Sequence, residues 1–397
     1  MLYSPDRHEP LAGAPWSEGV ARAAIERIVA LTEQDFSADT WWPPHPQDST
    51  KRTDPWFMLY LGAAGVIWSL RFLEKEAGVR LSRDYRSHVE RLLELNRVDM
   101  GEDAKPPFGS YLMGDTSIRM LDYDFDPQAG TAAEIAALVA GTLDQPTREQ
   151  MWGSPGTLLA ALLMHRRTGE RRWADLFNLT ARKLWSQLEW SEKEQCHFWS
   201  QDMYGEHSDY LDAVHGFAGT ALPLIQGREL MEPAEWERWK ECIANTMRRN
   251  AEWDGGLVNW RARLSSPRGA LKLVQYCHGA PGFVVCLADF PGDAIDDLLE
   301  GGAQLTWQAG PLTKGSNLCH GTGGNGYAFL KMFKRTGDEE WLDRARAFAM
   351  HGIAQTEAAL QKHGHLRHSL WTGDPGFAIY LLECIRGGDL FPTLDVF

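Results

Sequence analysis

Gly153-Ser-Pro-Gly156-Thr-Leu-Leu-Ala-Ala-Leu-Leu-Met164-His-Arg-Arg-Thr168-Gly169-Glu-Arg-Arg-Trp173-Ala-Asp175 decides the fold of this 397-residue chain, because much of it returns 168 residues later. Gly321-Thr-Gly-Gly324 matches its opening. Met332-Phe-Lys-Arg-Thr336-Gly337-Asp-Glu-Glu-Trp341-Leu-Asp343 matches its close. In both copies an apolar run ends at Thr-Gly, a helix stop. A second helix then places Trp173, Phe177 and Leu184, or Trp341, Ala345 and Phe348, on one face at steps of three, four and seven.

The opening phrase, Gly-x-x-Gly before an apolar helix, recurs beyond these two copies. It appears as Gly62-Ala-Ala-Gly65, Gly216-Phe-Ala-Gly219, Gly279-Ala-Pro-Gly282 and Gly373-Asp-Pro-Gly376, and as Gly114-Asp-Thr-Ser117 with serine at the second glycine. The first glycines of the seven copies lie 52, 39, 63, 63, 42 and 52 residues apart, the length of a helix pair with loops. Seven inner helices, each entered through a glycine loop, predict an all-α fold: an α/α toroid, a seven-fold double-helix barrel with its glycine loops gathered at one end. Strand patterns are few, around Gly256 to Trp260 and Cys196 to Trp199. Residues 1–50, with Trp41-Trp42-Pro43-Pro44, read as an irregular arm over the barrel. With no linker composition in view, 1–397 reads as a single domain.

Hydrophobic residues at 44% and charged residues at 24%, with seventeen tryptophans, fit a soluble globular helical protein with a large core. A net charge of −14 argues against a nucleic-acid partner. Met1 to Trp16 has no basic region followed by an apolar run, and no stretch approaches eighteen apolar residues. Neither a signal peptide nor a membrane span is therefore expected. Six sparse cysteines without a Cys-x-x-Cys pair do not form a disulfide framework, so the expected location is the reducing cytoplasm.

Two of the glycine phrases carry chemistry as well as shape. Each is preceded by Cys-His: Cys277-His278-Gly279 and Cys319-His320-Gly321. Soft thiolates beside imidazoles suit zinc, and the two clusters offer up to four ligands. The alternative is a pair of small buried hydrophobes. The duplicated context favours metal.

These phrases resemble the lanthionine synthetase C-like family, the LanC cyclases and their stand-alone relatives. The resemblance rests on Tyr60-Leu-Gly-Ala-Ala-Gly65, Ala213-Val-His-Gly-Phe-Ala-Gly219, Tyr276-Cys-His-Gly-Ala-Pro-Gly282 and Leu318-Cys-His-Gly-Thr-Gly-Gly-Asn-Gly-Tyr-Ala-Phe-Leu330, with Asp389-Leu-Phe-Pro392 similar to the family's closing phrase. It implies a seven-fold α/α barrel and zinc ligands Cys277, Cys319 and His320, with His278 shaping the pocket. Three protein ligands leave a fourth position open, as in catalytic zinc sites. An incoming thiol held there would be a thiolate at neutral pH and could add to dehydroalanine or dehydrobutyrine, giving a thioether. His215 is the implied proton-transfer residue, and Glu149 falls where relatives carry an acidic residue facing the site. Glu149 reads equally as a helix-dipole or capping feature.

The resemblance leans toward the stand-alone branch, whose members bind glutathione and add it to dehydroamino acids in proteins. Cyclases tend to carry arginine four residues before the first of these cysteines, where this chain has Leu273. Lys314 stands where the stand-alone branch has a glutathione-contacting lysine, and Arg7 is a weaker second cation. The implied activity is zinc-dependent addition of a thiol, glutathione first, to a dehydroamino-acid-containing peptide or protein. Three alternatives remain open: a lanthipeptide cyclase forming lanthionine rings, a non-catalytic zinc and glutathione scaffold, and a toroid glycosidase. The last would need paired carboxylates, with Asp115, Glu149 and Asp374 as candidates, and leaves both Cys-His motifs without a role.

Overall fold

Every glycine phrase caps a helix, and those helices stand side by side in a closed ring. In the computed structural model, which describes residues 2–49, 51–101, 108–270 and 272–397, the inner helices are α2 (Ala63–Ala77), α4 (Asp115–Phe125), α6 (Ser154–Thr168), α8 (Phe217–Gln226), α10 (Ala280–Leu287), α12 (Thr322–Thr336) and α14 (Asp374–Arg386). Each begins directly after the first glycine of its phrase. Each packs on the next, and α14 packs back on α2. Backed against them are the outer helices α1 (Glu18–Gln34), α3 (Arg86–Met100), α5 (Ala129–Gly141), α7 (Arg171–Ser186), α9 (Pro233–Asn250), α11 (Asp296–Ala309) and α13 (Glu339–His363). The seven-fold α/α toroid expected from the repeat is the observed fold.

The second glycine of the phrase is required by space. A Cβ at Gly65, Gly156, Gly219, Gly282, Gly324 or Gly376 would overlap the backbone carbonyl oxygen six residues earlier, so the loop folds directly against its own helix. The repeated outer stripe is buried as the periodicity predicts: Trp173, Phe177 and Leu184 on α7, and Trp341, Ala345 and Phe348 on α13. Burying each of the large side chains is worth roughly 1.5–3 kcal/mol.

Residues 1–50 differ from the irregular arm that was expected. They contain α1, whose Ser17 hydroxyl accepts from the Val20 amide at 3.4 Å and whose Ala21, Ile25, Ile28 and Val29 are buried. The physical reason is closure. Each of the other six inner helices has an outer helix supplied by the segment following it, whereas the chain after α14 turns into the ring. There Phe391 packs against Tyr276, Tyr327 and Trp371, and buried Lys331 pairs with Asp389 and Asp395. The partner of α14 therefore comes from the N-terminus, as α1.

Among the described residues there are also three short antiparallel hairpins: β1 (Glu189–Ser191) with β2 (Cys196–Phe198), β3 (Gln201–Met203) with β4 (Glu206–Ser208), and β5 (Ala251–Asp254) with β6 (Leu257–Trp260). The first and third contain the segments read as strands from sequence. The second, whose turn carries exposed Tyr204, was not anticipated. Among the described residues no helix is long and apolar enough to cross a membrane. The six cysteines are all free and buried.

Candidate functional site

Because every inner helix starts at the same glycine, positions counted back from it are equivalent around the ring. Two residues back are Tyr60, Leu112, Met151, Val214, Cys277, Cys319 and Trp371. Five of these are laced together by backbone hydrogen bonds. The Tyr60 amide donates to Leu112 at 3.1 Å, Trp371 to Tyr60 at 3.2 Å, Cys319 to Trp371 at 2.8 Å, and Cys277 to Cys319 at 3.0 Å. One residue back are Trp152, His215, His278 and His320, among others, so the three histidines are the same position in successive loops.

Four residues back stand Met58 and, on the other six loops, the polar residues Ser110, Glu149, Asp212, Gln275, Asn317 and Ser369. Ser110, Glu149, Asp212 and Asn317 cap loop amides that follow. Glu149 accepts from Met151 at 2.9 Å and from Trp152; Asp212 accepts from Val214 at 3.1 Å and His215 at 2.8 Å; Asn317 accepts from His320 at 3.0 Å. The two acids do more, because each carboxylate also reaches the histidine of the next loop. Glu149 Oε2 lies 2.9 Å from His215 Nδ1, and Asp212 Oδ2 lies 2.7 Å from His278 Nδ1. Both acids are fully buried, while His215 and His278 expose 17% and 26% of their side chains, leaving each ring a free edge. Glu149 thus caps its own loop and also contacts the histidine of the next.

Burial pushes the His215 pKa down, but the hydrogen bond and charge of Glu149 more than offset it, and the net shift is upward. His278 behaves alike: burial lowers it, Asp212 raises it, and the balance is upward. The role of Asp212 was missed in the sequence. A signal existed, since Glu149–His215 and Asp212–His278 share one spacing, 66 residues.

Cys277, Cys319 and His320 converge, with one donor atom from each lying within 4.8 Å of the others. Two sulfurs on one tetrahedral ion, each at roughly 2.3 Å, would sit about 3.8 Å apart, so the three donors fit a shared thiophilic metal. Cys277 is pushed well up, first because it donates to the Cys319 sulfur and then by burial. Cys319 is held well below the usual thiol range, first by accepting from Cys277, then by His320 and the Tyr60 hydroxyl, in spite of burial. The Tyr60 hydroxyl lies 2.7 Å from Cys319 Sγ, and Gln275 Nε2 lies 2.9 Å from Cys277 Sγ. His278, the other candidate ligand of the first triplet, has its Nδ1 committed to Asp212.

Lys314 is exposed, on the loop that leads into Cys319; its carbonyl accepts from Asn317, the residue that caps the His320 amide. Arg7 belongs to a segment paired with that loop: its carbonyl accepts from the Thr313 amide at 3.1 Å, next to Lys314.

The chain matches, over residues 45–396, the family described as lanthionine synthetase C-like protein. It belongs to that family. Curated relatives include Glutathione S-transferase LANCL1 of Danio rerio, 43% identical over 154 residues, a stretch covering 36% of this chain and 35% of the relative. LanC-like protein GCL1 of Arabidopsis thaliana is 39% identical over 97 residues, covering 23% and 22%. The matched stretch thus spans about a third or less of these relatives. Among solved structures, nisin cyclase superposes with a TM-score of 0.62 over 92% of this chain and 94% of that one; at 15% identity this is a likeness of fold. Within the family's toroid, this chain gathers the donor set and both carboxylate–histidine pairs on consecutive loops.

Proposed function

We propose that this protein is a zinc-dependent enzyme that adds a thiol, glutathione in the first instance, to dehydroalanine or dehydrobutyrine residues of a peptide or protein, forming a thioether. The observation that carries the reading is the juxtaposition of two thiols and an imidazole with a buried carboxylate–imidazole pair on neighbouring loops. Zinc at Cys277, Cys319 and His320, with a fourth position open, supplies the Lewis acidity that lowers an incoming thiol's pKa. His215, oriented by Glu149 through Nδ1, takes the thiol proton at its free Nε2 edge and returns it to the acceptor's α-carbon. Lys314 offers a point charge to a glutathione carboxylate. The name of the zebrafish relative favours glutathione as the thiol.

The deciding experiment combines elemental analysis of protein purified without added metal with a turnover assay using glutathione and a dehydroalanine peptide. About one zinc per chain and a thioether product are expected. A folded, metal-free protein, or a zinc protein forming no thioether with glutathione, overturns the reading. Ring closure of a peptide carrying its own cysteine, without glutathione turnover, would mark a cyclase instead.

A further inference from the structure

Adding a thiolate to the β-carbon of a dehydroamino acid moves the π pair onto the acceptor's amide carbonyl, so negative charge develops on that oxygen before the α-carbon takes a proton. An active site for this reaction therefore needs a donor aimed at that oxygen. Of the groups described so far, His215 is engaged with the proton and the thiols with the metal position, and His278 is held at Nδ1 by Asp212.

Tyr210 is built for the task. Its ring centroid lies 5.6 Å from that of His215 and 6.2 Å from that of His278, so it forms a wall beside both imidazoles. Arg263 crosses that ring, its guanidinium carbon 4.4 Å from the centroid, and Nη2 donates to the Tyr210 hydroxyl oxygen at 2.5 Å. A phenol that accepts from a cation keeps its own O–H free to donate, and becomes a stronger donor. Both side chains are only half buried, so a substrate can reach them. The backbone beneath is fixed: Tyr210 bridges Arg263 in antiparallel fashion, the Leu211 amide donates to Ala262 at 2.7 Å, and the Tyr210 amide donates to Gln201 Oε1 at 2.8 Å. Tyr210 lies six residues before its helix-capping glycine, and the equivalent residue of the next loop is apolar Leu273.

We propose that the Tyr210 hydroxyl, polarised by Arg263, binds the acceptor's amide carbonyl oxygen and stabilises the charge that develops there during thiol addition. This inference rests on the thiol-addition reading. The S–Cβ bond forms, the Cα=Cβ π bond is lost, the thiol proton ends on Cα, and Tyr210 donates a hydrogen bond without giving up its proton.

The test compares the zinc-loaded wild type with Tyr210→Phe and Arg263→Gln, using glutathione and two acceptors, a dehydroalanine peptide and an α,β-unsaturated ketone whose enolate is intrinsically more stable. Tyr210→Phe should lower kcat on the peptide about 10²-fold with KM nearly unchanged, and markedly less on the ketone; Arg263→Gln should cost about tenfold. Zinc content and Tm are followed in both variants. A Tyr210→Phe enzyme within twofold of wild type on the peptide overturns the proposal, as does an equal loss on both acceptors, which a merely structural role would give. Absence of thioether product with the wild type would instead overturn the underlying reading, and this inference with it.

Discussion

The mouth of the barrel has two sides built on one backbone plan. On the loops entering α10 and α12, the residue two before the glycine is Cys277 or Cys319; on those entering α14, α2 and α4 it is Trp371, Tyr60 or Leu112. All five take part in the same lacing of amides and carbonyls. The frame therefore does not depend on which side chain stands there; the donor set lies on one arc of it, with the Tyr60 hydroxyl reaching the Cys319 sulfur from the other. The same arc extends to the loops entering α6 and α8, which carry the acids Glu149 and Asp212, and it places imidazoles at 215, 278 and 320, whereas Leu61, Met113 and Thr372 occupy the imidazole position on the other arc.

The severest test of this division is Cys319→Ala. The backbone bonds of residue 319 survive the substitution, so the toroid should fold while zinc is lost and turnover falls to background. Elemental analysis and circular dichroism on the same sample would read both. Retained zinc would show that the donor set is wrongly assigned.

His215→Ala should separate metal from proton transfer within the reactive arc. Zinc should stay near one per chain, and kcat should drop about 10²–10⁴-fold, the usual range for a lost general acid–base group. Unchanged turnover would remove His215 from the mechanism.

Glu149→Gln acts through His215 and should cost less, about tenfold in kcat. It should also move the pH–rate profile. The carboxylate lifts the His215 pKa against burial, so without it burial dominates and the pKa falls. The limb belonging to His215 should therefore shift to lower pH. A shift to higher pH, or none, would mean that Glu149 serves only as a cap for the Met151 and Trp152 amides.

Much of this arrangement was legible in the sequence because it repeats. Seven glycine phrases gave the ring, and Cys-His before two of them offered four candidate ligands, of which the family resemblance singled out Cys277, Cys319 and His320. What escaped detection lay outside the repeat's own signature. Helix α1 begins at Ser17 and buries Ala21, Ile25, Ile28 and Val29 at helical spacing, but no glycine phrase leads into it, and its need arises only when the ring closes. Asp212 went unread because the partner of an acid in a glycine loop is chosen by the neighbouring loop, 66 residues away. Tyr210 and Arg263 lie 53 apart in sequence, and only the isolated β-bridge between them sets them side by side, with the Tyr210 ring beside the histidines.

The opposite arc offers the smallest effect on activity and the sharpest contrast. Leu112 holds the place on its loop that Cys319 holds on another; its carbonyl accepts the Tyr60 amide, and its side chain is almost wholly buried in the core. Leu112→Val keeps that carbonyl and removes one methylene, so it should cost about 1 kcal/mol of stability and lower Tm by a few degrees. Zinc content and kcat should remain within twofold of wild type. Cys319→Ala should show the inverse, with the metal-free fold little changed and activity abolished. If Leu112→Val instead lost turnover in proportion to stability, the two arcs would be energetically coupled, and the frame could not be treated as indifferent to what its loops carry.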